Sequence, residues 1–145
     1  MKGVGKTMEI IKRHTDYAFR SLVYLASLPG QVIAAREIAD SQDVPVEFLQ
    51  KIMQRFVKNG IVNSHRGAQG GFSLAKNPAG ITVLDIIEVM QGPVVMNRCL
   101  LGKDGCPRAP KCPLKNSWID VEEKLAAYFD GITLKDLVDE VHAID

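Results

Sequence analysis

Apolar residues recur every three or four positions along most of this chain, which is the spacing of amphipathic helices. The pattern predicts six helices, over residues 16–27, 34–42, 45–60, 81–92, 114–131 and 133–144. Pro45 suits the first turn of the third helix, because the N–H that proline lacks has no helical partner there. Thr82 is expected to cap the fourth helix, with Asp85 three residues later as in a capping box.

The third predicted helix has a clear division between an apolar and a polar face. Its apolar face is predicted to comprise Phe48, Leu49, Ile52, Met53, Phe56 and Val57. Its polar face carries Glu47, Gln50, Lys51, Gln54, Arg55 and Lys58. One face is therefore expected to pack on the core, which leaves the other for solvent or a partner.

One stretch breaks the helical pattern. Residues 61–64 and 72–74 are predicted to form two short strands, with the glycine-rich residues 66–71 as the turn between them, since glycine supplies positive φ. Three helices followed by a hairpin is the order of a winged helix-turn-helix. The predicted fold is therefore mainly α, a winged helix-turn-helix with a long C-terminal dimerisation helix.

The chain of 145 residues is long enough for one compact domain with a hydrophobic core. Within that domain we expect a DNA-binding unit at residues 8–80 and a connecting helix with a cysteine loop at 81–113. The dimerisation helix and a last helix are expected at 114–145.

A winged helix-turn-helix predicts binding to double-stranded DNA, since the major groove is about 12 Å wide and admits one helix. Side chains near the start of the third helix would contact base edges, and the hairpin tip would contact phosphate or the minor groove. The candidate DNA-binding residues are Glu47, Gln50, Lys51, Arg66, Gly67, Gly70 and Gly71. A plain helical bundle with a surface hairpin is the alternative.

The charge distribution agrees with DNA binding by the first half of the chain. Residues 1–77 hold 11 basic and 6 acidic residues, a net charge of +5, whereas residues 78–145 hold 7 and 11, a net charge of −4. A basic half beside an acidic half is typical of a nucleic-acid binder with a separate assembly region. Chance scatter of solvated charges would give the same difference.

The fifth predicted helix carries an apolar stripe with several aromatic residues. Its members are Trp118, Val121, Leu125, Tyr128 and Phe129. We expect the first four to form a homodimer interface, because a small domain rarely needs so long an aromatic stripe for its own core. A plain core helix is the alternative.

All three cysteines, Cys99, Cys106 and Cys112, fall within 14 residues. A disulfide would leave one thiol over, and structural zinc usually takes ligand pairs two to four residues apart. Iron–sulfur clusters are held by thiolates, and the nearby basic residues Arg98, Lys103, Arg108 and Lys111 would lower the thiol pKa values. The pattern favours a metal centre without excluding zinc or a thiol-based redox sensor.

Other classes of protein are not indicated. There is no apolar run long enough to span a bilayer and no secretory signal, so no membrane partner is expected and the cytoplasm is the expected location. No nucleophile–base arrangement, phosphate loop or paired carboxylates point to an enzyme.

Taken together, these motifs resemble the Rrf-two family of bacterial winged-helix transcription regulators. The resemblance covers about residues 8–141 and rests on "DYAFRSLVYLAS", "REIAD", "KNGIV", "RGAQGGFSLAKNP" and the three-cysteine loop. It implies a homodimer that binds a palindromic operator. It further implies a repressor whose affinity depends on a [2Fe-2S] or [4Fe-4S] cluster that responds to redox state, iron–sulfur status or nitric oxide.

The resemblance also suggests ligands for that cluster. Cys99, Cys106 and Cys112 match the family's three cluster cysteines. Where one branch of the family has a histidine three residues past the last cysteine, this chain has Lys115, and a protonated lysine is not a ligand. A second branch uses an acidic residue of the partner subunit, which corresponds to Asp16 here. Asp16 as a helix N-cap, His14 as the ligand, and a cluster-free thiol or zinc regulator are the alternatives.

Overall fold

The computed structural model describes residues 5–97 and 111–144. The chain divides into two compact units, Met1–Ala75 and Lys76–Asp145. The first contains α1 (Arg13–Ser27), α2 (Ala35–Gln42), α3 (Val46–Lys58), β1 (Val62–His65) and β2 (Gly71–Leu74). The second contains a 3₁₀ turn (Pro78–Gly80), α4 (Val83–Gln91), α5 (Lys115–Asp130) and α6 (Leu134–Ile144).

In the first unit, α1, α2 and α3 pack against one another and the hairpin follows. Their core is aliphatic apart from one aromatic ring, and comprises Ala18, Leu22, Leu25, Ile38, Leu49, Ile52, Met53 and Phe56. Asp43, at φ 53°, turns the chain between α2 and α3 in a left-handed conformation that Asp tolerates. The helix-turn-helix is therefore positioned by burial of the inner faces of all three helices.

The hairpin is tied to the helices by a third extended segment. Strands β1 and β2 are antiparallel, with Val62 opposite Leu74 and His65 opposite Gly71. Ile33, just before α2, exchanges two backbone hydrogen bonds with Phe72, of 2.9 and 2.8 Å. The side chains of Ile33 and Phe72 are both buried, so the wing is anchored to the start of the helix-turn-helix.

The second unit is organised by two linked helix starts. Thr82 and Asp85 form the expected capping box at α4, and Thr133 and Asp136 form the same reciprocal hydrogen bonds at α6. Thr82 and Thr133 also face each other in an antiparallel bridge. The side chains of Ile81, Ile86 and Leu134 are fully buried next to these caps.

The predicted fold is confirmed, and the helix and strand bounds lie within three residues of those expected. Helix α1 begins three residues early, at Arg13, and Pro45 lies just outside α3 as its N-cap. The 3₁₀ turn was not predicted. In the two stretches that the structure describes, each helix is too short or too polar to cross a bilayer.

Candidate nucleic-acid interface and cysteine segment

The outward face of α3 places the expected base-contacting side chains in solvent. Glu47, Gln50 and Lys51 are all exposed in its first two turns. Gln54, Arg55 and Lys58 continue the exposed face toward the end of the helix. Hydrogen-bonding groups near the helix start and cations further along match what a major groove requires of a recognition helix.

Phe48 departs from the predicted pattern. Its side chain is 53% exposed, whereas Leu49, Ile52, Met53 and Phe56 are buried. At about 100° per residue, Phe48 points about 90° away from the centre of the buried side chains. The prediction that placed Phe48 on the buried face was wrong. The angle of Phe48 on the helix, which follows from the sequence spacing alone, could have shown that it lies at the edge of that face.

The hairpin tip presents Arg66 and Gly67 to solvent. The other two glycines that were predicted to contact DNA, Gly70 and Gly71, are required by the fold itself. A Cβ on Gly70 would lie 2.3 Å from the carbonyl oxygen of His65, and one on Gly71 would lie 2.1 Å from that of Ile33. A role of these glycines in approaching DNA stays a prediction.

Asp16 lies in the first turn of α1, three residues after the helix begins. Lys12 is the N-cap, so the alternative of Asp16 as N-cap is wrong. The exposed carboxylate of Asp16 accepts hydrogen bonds from Nε and Nη2 of Arg20, at 3.0 and 2.9 Å. Asp16 and Arg20 are four residues apart, a spacing that brings helical side chains together.

Arg20 connects Asp16 to the helix-turn-helix. Its Nη1 donates a 3.0 Å hydrogen bond to the carbonyl oxygen of Gln42, the last residue of α2. Its guanidinium also lies 5.1 Å from the centre of the Tyr17 ring, within the range of a cation–π contact. Arg20 thus joins the Asp16 carboxylate to the C-terminal end of α2.

These side chains border an open polar cleft of about 420 Å³ within the first unit. It is lined by Glu9, Ile11, Arg13, Asp16, Tyr17, Arg20 and Asp43. His14, the alternative ligand, is exposed in the same first turn of α1 but does not line the cleft.

The cysteine segment, residues 99–112, is described only at its last two residues. Cys99 and Cys106 lie outside the described residues, and Cys112 is a half-buried free thiol just before α5. Among residues 5–97 and 111–144, no three His, Cys, Asp or Glu side chains form a group that could hold a metal. Asp16 belongs to the first unit and Cys112 to the second.

Met96, just before the cysteine segment, and Cys112, its last residue, are both hydrogen-bonded to α5. The backbone N–H of Met96 donates a 2.5 Å hydrogen bond to Oε1 of Glu122. The carbonyl oxygen of Cys112 accepts a 3.3 Å hydrogen bond from the N–H of Lys115, the first residue of α5.

The predicted dimer helix leaves its apolar side chains accessible. No side chain of α5 is fully buried. Trp118, Val121 and Leu125 are half-buried, and Tyr128 is 68% exposed with its ring edge-on to Phe129. An accessible aromatic stripe of this kind is typical of an interaction surface.

Comparison with known proteins identifies relatives over almost the whole chain. The family model Rrf2, described as an iron-dependent transcriptional regulator, matches residues 11–140. The HTH-type transcriptional regulator IscR of Klebsiella pneumoniae (strain 342) is 35% identical over 123 residues, which cover 85% of this chain and 74% of that protein.

Two solved structures are also similar. CymR, the global cysteine regulator of B. subtilis, has a TM-score of 0.74 at 28% identity and covers 92% of this chain and 98% of its own. T. potens IscR has a TM-score of 0.72 at 26% identity and covers 97% of this chain and 91% of its own.

Proposed function

Because the chain belongs to the Rrf2 family of winged-helix transcription regulators, we propose that it represses transcription as a homodimer under the control of an iron–sulfur cluster. The cluster would be held by Cys99, Cys106 and Cys112 and would set the affinity for a palindromic operator. The proposal has three parts, which concern DNA, assembly and the cluster.

The DNA part rests on the exposed faces of α3 and the hairpin. Glu47, Gln50 and Lys51 are exposed. In the proposed complex Gln50 would pair with adenine, Glu47 would accept from cytosine N4 and Lys51 would add a positive charge beside them. Arg66 is exposed at the hairpin tip, where a guanidinium can bind phosphate or enter the minor groove. Base contacts would supply specificity and the cations would supply affinity.

The assembly part rests on α5. Its half-buried Trp118, Val121 and Leu125 and its exposed Tyr128 form one stripe, which a second copy of the same helix would cover. A twofold dimer presents two recognition helices related by symmetry, and such dimers bind inverted repeats.

The cluster part rests on the donor set. Three thiolates are suitable ligands for an iron–sulfur cluster, and the accessible thiol of Cys112 at the start of α5 fits that role. When bound, the cluster would supply a centre that reacts with oxidants or nitric oxide. Lys115 occupies the position where a histidine ligand would otherwise stand.

The observation that carries the proposal is a pair of hydrogen bonds that link Met96, before the cysteine segment, and Cys112, at its end, to α5. Met96 is bonded to Glu122, and Cys112 to the first turn of the helix. A rearrangement of the segment would therefore shift the helix on which we place the dimer interface. If the rearrangement changes the free energy of operator binding by about 1.4 kcal/mol, the affinity for the operator changes tenfold.

For the fourth ligand we propose Asp16 of the partner subunit. A carboxylate is a hard ligand on a soft cluster, so it is replaceable, which suits a sensor. In the structure, Arg20 holds Asp16 and also bonds the Gln42 carbonyl at the end of α2. Transfer of Asp16 from Arg20 to the cluster would release one end of this connection and alter the turn before α3.

Spectroscopy of anaerobically purified full-length protein tests the proposal. We expect brown protein with iron, sulfide and visible charge-transfer absorption. Asp16→Ala should keep a cluster on three thiolates, with an altered visible spectrum and faster loss in air, and Asp16→Cys should be more robust. Asp40→Ala, which removes an exposed carboxylate from α2, is the matched control and should behave like the wild type.

Two results would contradict this proposal. Colourless protein with stoichiometric zinc or three free thiols would exclude the cluster. A spectrum and air stability unchanged by Asp16→Ala would remove Asp16 alone and make His14 or a small exogenous thiol the next candidate.

A cluster-free, thiol-based or zinc-containing regulator is the second candidate. It is favoured by the accessible free thiol of Cys112 and by the similarity to a structure named as a global cysteine regulator. Colourless protein whose operator affinity changes on oxidation and recovers with a reductant would support it.

A further inference from the structure

The ring of Phe48 is exposed on a helix that buries its other aromatic residue. Phe48 is 53% exposed, whereas Phe56, two turns later, is fully buried. Phe48 is the third residue of α3, in the turn that a recognition helix inserts deepest into the major groove. Among the described residues of this unit, about half of the Phe48 side chain is left uncovered, which leaves its surface open to an external contact.

The neighbours of Phe48 indicate what that contact is. Lys51 and Arg55 follow three and seven residues later and share its flank of the helix, and both are exposed. Gln50 lies on the opposite flank of the outward face. An apolar ring beside two cations suits a groove lined by phosphates, whereas an apolar protein surface would have to desolvate both charges.

Within the major groove, the apolar group that distinguishes one base from the others is the C5-methyl of thymine. We infer that Phe48 is a specificity-determining residue that contacts a thymine methyl in each half-site. The inference rests on the proposed function, because it needs α3 in the major groove. It adds to the polar contacts of Gln50 and Glu47 a position at which the operator must carry thymine.

The test combines a protein substitution with removal of that methyl alone. An operator duplex is selected in vitro from a random pool, with both cluster-loaded and cluster-free full-length protein. Each thymine of one half-site is then replaced in turn by deoxyuridine, and the Kd is measured by fluorescence anisotropy for the wild type, Phe48→Ala and Phe48→Leu. Val141→Ala, which trims an exposed apolar side chain of α6, is the matched control.

We expect one dT→dU replacement to weaken the wild type about fourfold, which corresponds to about 0.8 kcal/mol for one buried methyl. The same replacement should leave the Kd of Phe48→Ala unchanged. It should raise the Kd of Phe48→Leu by less than it raises that of the wild type, and it should raise the Kd of Val141→Ala by the full wild-type factor. This loss of coupling is specific to a ring–methyl contact, since a loosened helix would weaken all duplexes alike.

Two outcomes overturn the inference while the proposed function stands. One is a protein that binds its selected operator with no thymine coupled to Phe48. The other is dissociation of the dimer by Phe48→Ala in sedimentation, which would place the ring against a second copy. If selection yields no preferred sequence at all, the DNA part of the proposed function fails, and the inference fails with it.

Discussion

At the scale of single residues, the glycine-rich hairpin tip combines positions needed for the fold with positions free to contact DNA. Gly71 has φ +153°, and the position that a Cβ would occupy lies against the carbonyl of Ile33. Gly67 has φ +105° and open space around it, beside the exposed Arg66. Substitutions at the two glycines should therefore have different effects.

Gly71→Ala should destabilise the protein strongly. The added Cβ would meet the Ile33 oxygen at 2.1 Å and break the bridge between Ile33 and Phe72. We expect a loss of about 2–4 kcal/mol in the free energy of unfolding, from backbone strain and displaced packing. Gly67→Ala, with backbone strain but no clash, is the control and should lose about 1 kcal/mol. Urea denaturation measures the free energy of unfolding of both variants. Equal losses in Gly71→Ala and Gly67→Ala would contradict a clash at Gly71.

Arg66→Ala and Gln50→Ala should separate affinity from specificity. Removal of the exposed Arg66 cation should weaken binding to all duplexes by a similar factor and reduce its salt dependence. Gln50→Ala should instead relax preference at one base pair, by about 1–3 kcal/mol. Gel-shift titrations on single-base operator variants at two salt concentrations measure both effects. A uniform loss from Gln50→Ala would remove it from base recognition.

At the scale of elements, α4 and α6 start at residues that face each other across one bridge. The N–H of Val83 bonds the carbonyl of Ile132, and the N–H of Leu134 bonds that of Ile81, both at 2.8 Å. Each start also has its own capping box. The two helices are thus fixed relative to each other by their first turns.

This arrangement predicts a pH dependence of stability. The backbone N–H of Thr133, and then its hydroxyl, lower the pKa of Asp136 below its ordinary value. A carboxyl group whose folded pKa is lowered stabilises the protein above its unfolded pKa, and that contribution is lost as the pH falls below about 4. Asp136→Asn should therefore have a lower Tm than the wild type at pH 7. Between pH 5 and pH 3 its Tm should fall by less than that of the wild type.

Glu140→Gln, which alters an exposed carboxylate of α6 outside the capping box, is the control for this measurement. Thermal unfolding followed by circular dichroism should show it to keep the wild-type pH dependence. An Asp136→Asn protein with the wild-type profile would show that the capping box does not stabilise α6.

The elements were predictable where local chemistry determines them. The Thr82 capping box and the helical periodicity were visible in the sequence and are confirmed. The start of α1 was missed because Lys12 caps it without a side-chain hydrogen bond. The bond from Arg20 to the Gln42 carbonyl was not predictable, since it joins residues 22 positions apart through tertiary packing.

At the scale of the whole molecule, the candidate site is divided between residues that sequence spacing reveals and residues that folding brings together. The three cysteines were recognisable by proximity alone. The hydrogen bond between Met96 and Glu122, 26 positions apart, was not, and it supplies the proposed connection from the cysteine segment to α5. The charge asymmetry of +5 and −4 is what the proposal expects, with DNA binding assigned to the first half and assembly to the second.

Operator affinity in the presence and absence of the cluster tests the central claim most directly. Anaerobically purified wild-type protein, with its iron and sulfide content measured, is titrated against its selected operator beside Cys106→Ala. Asn116→Ala, which keeps all three thiols and removes only an exposed polar side chain from the first turn of α5, is the control. We predict that the affinity of Cys106→Ala differs about tenfold from that of the loaded wild type, equivalent to about 1.4 kcal/mol, and that Asn116→Ala matches the wild type. Equal affinities of loaded wild type and Cys106→Ala on the same operator would contradict control of DNA binding by the cluster.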